Sequence, residues 1–227
     1  MAMTVHQTRQ NMEMAQMNWL ILDVSSCAVE GVENYLTPAS ERRAPASYSK
    51  PESIAAWQAE DFQDDLDRAA LDWDLARITG VGYAIPQGHF LDGTAETPEK
   101  ERALVYEIAS RIREADMLIG FGARNFDWPL LMRRARYLGV DFPEINLDRY
   151  RSPHIDLCEL LSHGDRQKQK PLSFWIRRLG WSDLTKPLSG KEEAQIFQHE
   201  RWSDLAASLA HDVEATYRLA QWAKVIR

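Results

Sequence analysis

Four aspartates in this chain have neighbours that make an acid informative: Asp23, Asp127, Asp156 and Asp212. Asp23 follows the apolar run Trp19-Leu20-Ile21-Leu22 and precedes Val24-Ser25-Ser26. Side chains alternate along a strand, so Asp23 and Ser25 project to the same side. A buried strand that ends on a carboxylate can hold a metal-facing acid, but taken alone Asp23 reads better as a plain polar strand end. Asp127 has a proline two residues later and suits a helix N-cap. Asp156, in His154-Ile155-Asp156-Leu157-Cys158-Glu159, suits a capping box. Asp212 has no such local explanation. It lies inside a long helical pattern beside Leu205, Leu209, Val213 and Leu219, where aspartate is a poor residue and an unpaired buried carboxylate is costly. A metal ion, a basic partner or solvent at the helix edge must account for it. Ser208, one turn earlier, shares its face.

Carboxylates delivered by a first strand, a middle helix start and a late helix are what two-metal phosphodiester hydrolysis requires. Two divalent ions about 3.5–4 Å apart clamp the attacking and leaving oxygens, and hard Mg²⁺ or Mn²⁺ prefers oxygen ligands. Other constellations are weak. The six histidines form no pair at ligand spacing on one helix. Gly120 and Gly122 lack the third glycine of a dinucleotide fingerprint, and neither a Gly-x-Ser-x-Gly elbow nor a Walker loop occurs. Basic runs at Arg133-Arg134-Ala135-Arg136, over 166–170 and at Arg177-Arg178 can touch phosphates, although runs of this size are commonly solvated faces.

The elements that must position these acids read as follows. Residues 1–16 are polar and without period, a frayed tail. A strand runs over 19–24, and a long connection over 28–50 reads as an ordered flap over the sheet. Ser49-Lys50-Pro51-Glu52 opens a helix to about residue 70. A strand over 77–85 turns at Gln87-Gly88 into a short antiparallel partner at 89–91. Thr97-Pro98 opens a helix with Leu104, Ile108 and Ile112 on one face. A buried strand at 117–121, a helix at 127–138, a short strand at 154–156 and a helix start at 157–161 follow. The remainder is helical, over 172–179, 189–198 and 201–223. Strands interleaved with helices in this order specify an α/β layer architecture with a mixed sheet.

With 227 residues and 44% hydrophobic composition, including eight Trp, the chain can fill one core. Its formal charge of −7 excludes a duplex-coating protein and permits an enzyme with one local basic groove. Cys27 and Cys158 are too few for a disulfide scaffold and fit a reducing cytoplasm. No apolar run is long enough to span a membrane.

Taken together, the motifs resemble those of the DEDD 3′–5′ exonucleases, in the branch related to the proofreading domain of family B DNA polymerases. The resemblance covers 19–222 and rests on Leu22-Asp23-Val24-Ser25-Ser26, on Gly120-Phe121-Gly122-Ala123-Arg124-Asn125-Phe126-Asp127 with Arg133-Arg134-Ala135, and on Ser208-Leu209-Ala210-His211-Asp212-Val213-Glu214-Ala215-Thr216. His154-Ile155-Asp156 and the stretch over 70–78 add to it. It implies a ribonuclease H-like fold over 18–227, behind a flexible tail over 1–17. It also implies Asp23, Asp127 and Asp212 as catalytic metal ligands, Mg²⁺ or Mn²⁺ as cofactor, and single-stranded nucleic acid or 3′ ends, DNA before RNA, as substrate. Asn125, Phe126, Arg133 and Arg134 would contact the nucleic acid. The departures are Ser25, where the family has a metal-binding Glu, Ser208, where it has a water-orienting Tyr, and Gly122, where it often has Asn. Asp156, Glu30 or Glu33 is the expected substitute carboxylate. His211, adjacent to Asp212, is about 100° around the helix and is expected to point elsewhere. Three readings stay open: a nuclease with an altered site, an inactive relative that binds strand ends or a replication or repair partner, and a plain interaction domain.

Overall fold

The computed structural model describes residues 17–226, except 87 and 89, and leaves the side chains of 90–92 and 198 undescribed. The expected tail over 1–16, and the Gln87 and His89 portions of the expected hairpin, lie outside the described residues.

A five-stranded mixed sheet has the order β3-β2-β1-β4-β5. Strand β1 is Trp19–Ala28, β2 is Ala76–Ala84, β3 is Phe90–Thr94, β4 is Met117–Gly120 and β5 is Ile155–Asp156. Strands β1, β2 and β3 form an antiparallel meander, and β4 and β5 add in parallel on the other side of β1. The helices are α1 (Pro51–Arg68), α2 (Pro98–Glu114), α3 (Asp127–Leu138), α4 (Leu157–Leu161), α5 (Leu172–Leu179), α6 (Gly190–Ala194), α7 (Ile196–His199) and α8 (Trp202–Trp222). This is the expected ribonuclease H-like α/β arrangement.

Strand β1 is central, and its alternation divides the protein into two cores. Leu20, Leu22 and Val24 point to one face, where they meet Leu104, Ile108, Leu130 and Leu131 of α2 and α3. Trp19 and Ile21 point to the other, where Val213, Leu219 and Ala220 of α8 cover them. Asp23 and Ser25 continue the Ile21 parity, so the sheet itself aims them toward α8. A register shift between Ser25 and Ser26 marks a bulge at the end of this run.

Helix α8 lies unusually close to the sheet because β2 carries glycine where the helix crosses. A Cβ on Gly80 would come 2.6 Å from Leu209 Cδ1, and one on Gly82 would come 2.8 Å from Val213 Cγ2 and 3.0 Å from the Leu209 carbonyl oxygen. Gly82 pairs with Asp23 across β1–β2, and Gly80 pairs with Ser25. The absence of two side chains thus lowers the helix that carries Asp212 onto the strand that carries Asp23.

Several boundaries differ from expectation. Strand β1 continues past Val24 to Ala28, so Asp23 lies within the strand and does not end it. The connection over 28–50 is held against α1 instead of covering the sheet: Arg42 binds Asp61 and Asp65, and Gln58 donates to the Arg42 carbonyl. Helix α1 starts at Pro51 with no side-chain cap, so the expected Ser49 capping box is not formed. The expected helix over 189–198 is two short helices, because Gln195 (φ −102°, ψ 19°) leaves helical geometry and turns Ile196 inward. Ile196 packs with Leu188, Leu205 and Leu209 in a small separate core.

Candidate active site

Asp23 projects from β1 into an open cavity of about 430 Å³ that it shares with Phe121, Leu172, Ser173, Ile176, Arg177, Leu184, Lys186, His211 and Asp212. Its carboxyl is pushed well above the usual carboxylate range by burial, and then by the charges of Asp212 and Asp127; Lys186 acts in the opposite direction. The sensitivity of one acid to the other two places all three within one electrostatic neighbourhood.

Asp127 is the first residue of α3, not its cap; the capping position is Phe126, which offers no side-chain hydrogen bond. The side chain is buried, and the Val24 N–H donates to it. Burial, with Asp156 and Asp212 adding, raises its carboxyl to about 7, against the pull of its backbone donors. Asp212 sits at the edge of the buried face of α8, its side chain 14% exposed. Lys186 Nζ bonds it, and His211 Nδ1 lies 2.9 Å from its Oδ1. The expected outward direction of His211 is therefore corrected: the ring folds back along the helix surface onto the neighbouring carboxylate and lines the cavity.

Asp156 has a different task. Its Oδ1 accepts from the N–H groups of Gly122 (2.9 Å) and Cys158 (2.9 Å), and its Oδ2 from Arg124 N–H (3.0 Å). It caps α4 and at the same time holds the turn that leads into Asp127. Gly122 takes a left-handed conformation in that turn (φ 76°), which asparagine also tolerates. Glu30 and Glu33 are exposed and do not line the cavity.

The carboxylate beside Ser25 is one that sequence reasoning missed. Ser25 is buried, and its hydroxyl donates to Glu193 Oε2 at 3.2 Å. Glu193 comes from α6, 168 residues further along. Its Oε1 lies 2.8 Å from Lys186 Nζ, so one ammonium joins Glu193 to Asp212. Burial opposes the charge on Lys186, yet Asp212 and Glu193 outweigh it and raise its pKa above the ordinary lysine value. Ser208 is fully buried and accepts from Leu188 N–H at 3.1 Å, which ties the 184–190 segment to α8.

The expected nucleic-acid contacts divide. Arg134 is engaged with buried Glu101 and Arg133 with Asp74, so neither is brought to the cavity. Phe126 packs against the core, and Asn125 is exposed in the turn before α3. Arg177 does line the cavity, along with Phe121.

Among the described residues no trio of His, Cys, Asp or Glu side chains is drawn together in a metal-binding group. The donor chemistry nonetheless suits a hard divalent cation: the acids that act on one another here, Asp23, Asp127, Asp212 and Glu193, are all oxygen donors. A soft metal has no thiolate here, since Cys27 and Cys158 lie outside the cavity.

A family model of the RNase H superfamily matches residues 65–223. The chain belongs to that superfamily. The matched stretch contains Asp127, Asp156, Glu193 and Asp212, while Asp23 precedes it. DNA polymerase 1 of Aeropyrum pernix is 29% identical over 124 residues, which are 51% of this chain and 13% of that protein. The family B DNA polymerase of Pyrobaculum calidifontis superposes with a TM-score of 0.60 at 16% identity, over 91% of this chain and 24% of that one. The chain thus corresponds to a small part of each polymerase, and the relation to family B polymerases expected from the motifs stands. No described helix is long and apolar enough to cross a membrane.

Proposed function

We propose that this protein is a metal-dependent 3′–5′ exonuclease that hydrolyses phosphodiester bonds at nucleic-acid 3′ ends, DNA before RNA, through an altered active site. The observation that carries this reading is the convergence of Asp23, Asp127 and Asp212 from three elements: Asp23 and Asp212 line one cavity, the charges of Asp212 and Asp127 both raise Asp23, and that of Asp212 also raises Asp127. A fold has no stability reason to gather acids in this way. Asp23, Asp127 and Asp212 would hold Mg²⁺ or Mn²⁺. Bound divalent ions supply Lewis acidity toward the phosphate and make water a better nucleophile at neutral pH.

The chain's own side chains do the rest. Arg177, which has no ion-pair partner among the described residues, offers a cation to the strand's phosphates. Phe121 offers an apolar face at the cavity wall, against which a terminal base can stack. His211 fixes Asp212 from the side opposite Lys186. With Ser208 directed to Leu188, no tyrosine stands one turn before Asp212 to orient water.

A second reading is favoured by Lys186. An ammonium joined to both Asp212 and Glu193 neutralises part of the cluster, as in an inactive relative that binds strand ends or a replication or repair partner. The two separate in one assay. With Mg²⁺ or Mn²⁺ the protein should shorten a 5′-labelled single strand from its 3′ end, and Asp212→Ala should reduce the rate on the order of 10³-fold or more, the loss of several kcal/mol of metal-derived stabilisation. End binding without cleavage in either metal would establish the inactive reading.

A further inference from the structure

We infer that Glu193 supplies the metal-facing carboxylate that β1 lacks at Ser25, with the Ser25 hydroxyl serving to hold it; the inference rests on the exonuclease reading. Asp23 and Ser25 share one face of β1, so the second position on that face is where an acid on the strand would reach the same cluster. Serine is too short and carries no charge. Its hydroxyl instead donates to Glu193 Oε2 at 3.2 Å, which brings a carboxylate to that place from another element. The charge of Glu193 is felt at Asp23, so the two carboxylates belong to one cluster.

The placement of Glu193 is built. Ser189 caps α6 in a reciprocal box with Glu192, leaving Glu193 as the next residue, turned inward. Leu188 before the helix and Ile196 after it are both buried against Leu205 and Leu209. The Leu188 N–H is bound by fully buried Ser208. Two apolar anchors and one buried hydrogen bond therefore fix the short helix against α8, and its acid faces the sheet. The serine on α8 and the serine on β1 act as a pair: one fastens the segment, the other receives its carboxylate.

An alternative assignment, a counter-ion for Lys186 and nothing more, makes a different prediction. A counter-ion would be dispensable for metal uptake, and its removal would free Lys186 to bind Asp212 alone. Metal-free protein titrated calorimetrically with Mn²⁺ alone distinguishes the two. Glu193→Gln, matched to wild type in thermal unfolding, should weaken Mn²⁺ binding at least about tenfold. Combining it with Ser25→Glu should return affinity to within about threefold of wild type. Wild-type affinity in Glu193→Gln overturns the inference and leaves the exonuclease reading standing. A double variant as weak as Glu193→Gln overturns the claim that the two acids fill one place. Wild-type protein that neither takes up Mn²⁺ nor shortens a labelled strand overturns both the inference and the reading beneath it.

Discussion

Glu101 and Asp156 are as buried as the acids of the cavity, yet the protein treats them in the opposite way. Glu101, 1% exposed, accepts from both Nε and Nη2 of Arg134, lies near Arg77, and accepts the Ile78 N–H at 2.8 Å. Asp156 is surrounded by backbone donors, and its neighbour Glu159 binds Arg124 and Arg149. At the cavity, Asp212 and Glu193 share one lysine, whose charge must also serve Asp23. Buried acids with donors to spare hold a structure together. Buried acids short of donors hold it back, and persist where chemistry requires them.

Variants can break or sharpen this contrast. Glu101→Ala leaves two buried guanidiniums and an orphaned strand N–H, and should destabilise folding by about 3–5 kcal/mol. Denaturant unfolding would show it, while cleavage per folded molecule should be unchanged. A comparable loss of catalysis would erase the distinction between the two kinds of acid.

The cavity predicts a pH effect of opposite character. Asp127 is held up at about 7, so between the ordinary carboxylate range and about 7 the folded protein keeps a proton that the unfolded chain has released. The contribution of Asp127 to the stability of the metal-free protein therefore falls as pH rises through that window and is lost above about 7, and the raised carboxyl of Asp23 acts in the same direction. The same proton competes with metal, so Mn²⁺ affinity should climb by up to about tenfold per pH unit below 7 and flatten above. Titrations at pH 5, 6, 7 and 8 test this, and an affinity flat across the series would remove these acids from the binding site.

Smaller effects are expected from the backbone that brings the two elements together. Gly82→Ala drives a methyl group into Val213 and the Leu209 carbonyl, and should cost about 1–3 kcal/mol while lifting Asp212 away from Asp23. Activity should fall more than stability alone explains. Gly122→Asn should be nearly silent, within about 1 kcal/mol, because asparagine tolerates the left-handed turn and nothing lies within 4 Å of the added Cβ.

The fold was legible because its signals are local and repeated. Alternation in β1, the apolar stripe over Leu104, Ile108 and Ile112, and the turn residues between elements each point to one layer order. Asp212 stands out for the reverse reason, as an acid where the local pattern calls for something apolar, while Asp23 reads as a plain strand end until it is set beside the family motifs. Glu193 gave no such sign. It sits in Gly190-Lys191-Glu192-Glu193, a run that reads as a solvated face, and only the inward turn at Ile196 shows which way it points. Lys186 was hidden equally well beside Pro187. The expected substitutes Glu30 and Glu33 were close to Ser25 in sequence, but the chain leaving β1 carries them outward. Proximity along the chain pointed to Glu30 and Glu33, whereas the carboxylate that meets Ser25 lies 168 residues away.

The Glu193–Ser25 contact also has a consequence for how the protein comes into being. Asp212 and Glu193 both lie in the last quarter of the chain, whereas Asp23 and Asp127 precede it. Chains are made from the N-terminus, and a growing polypeptide that has placed its first strands still lacks half of this acid set. The acid set can be complete only after residues 193–212 have been made, so a product truncated before them would carry the sheet without Glu193 and Asp212.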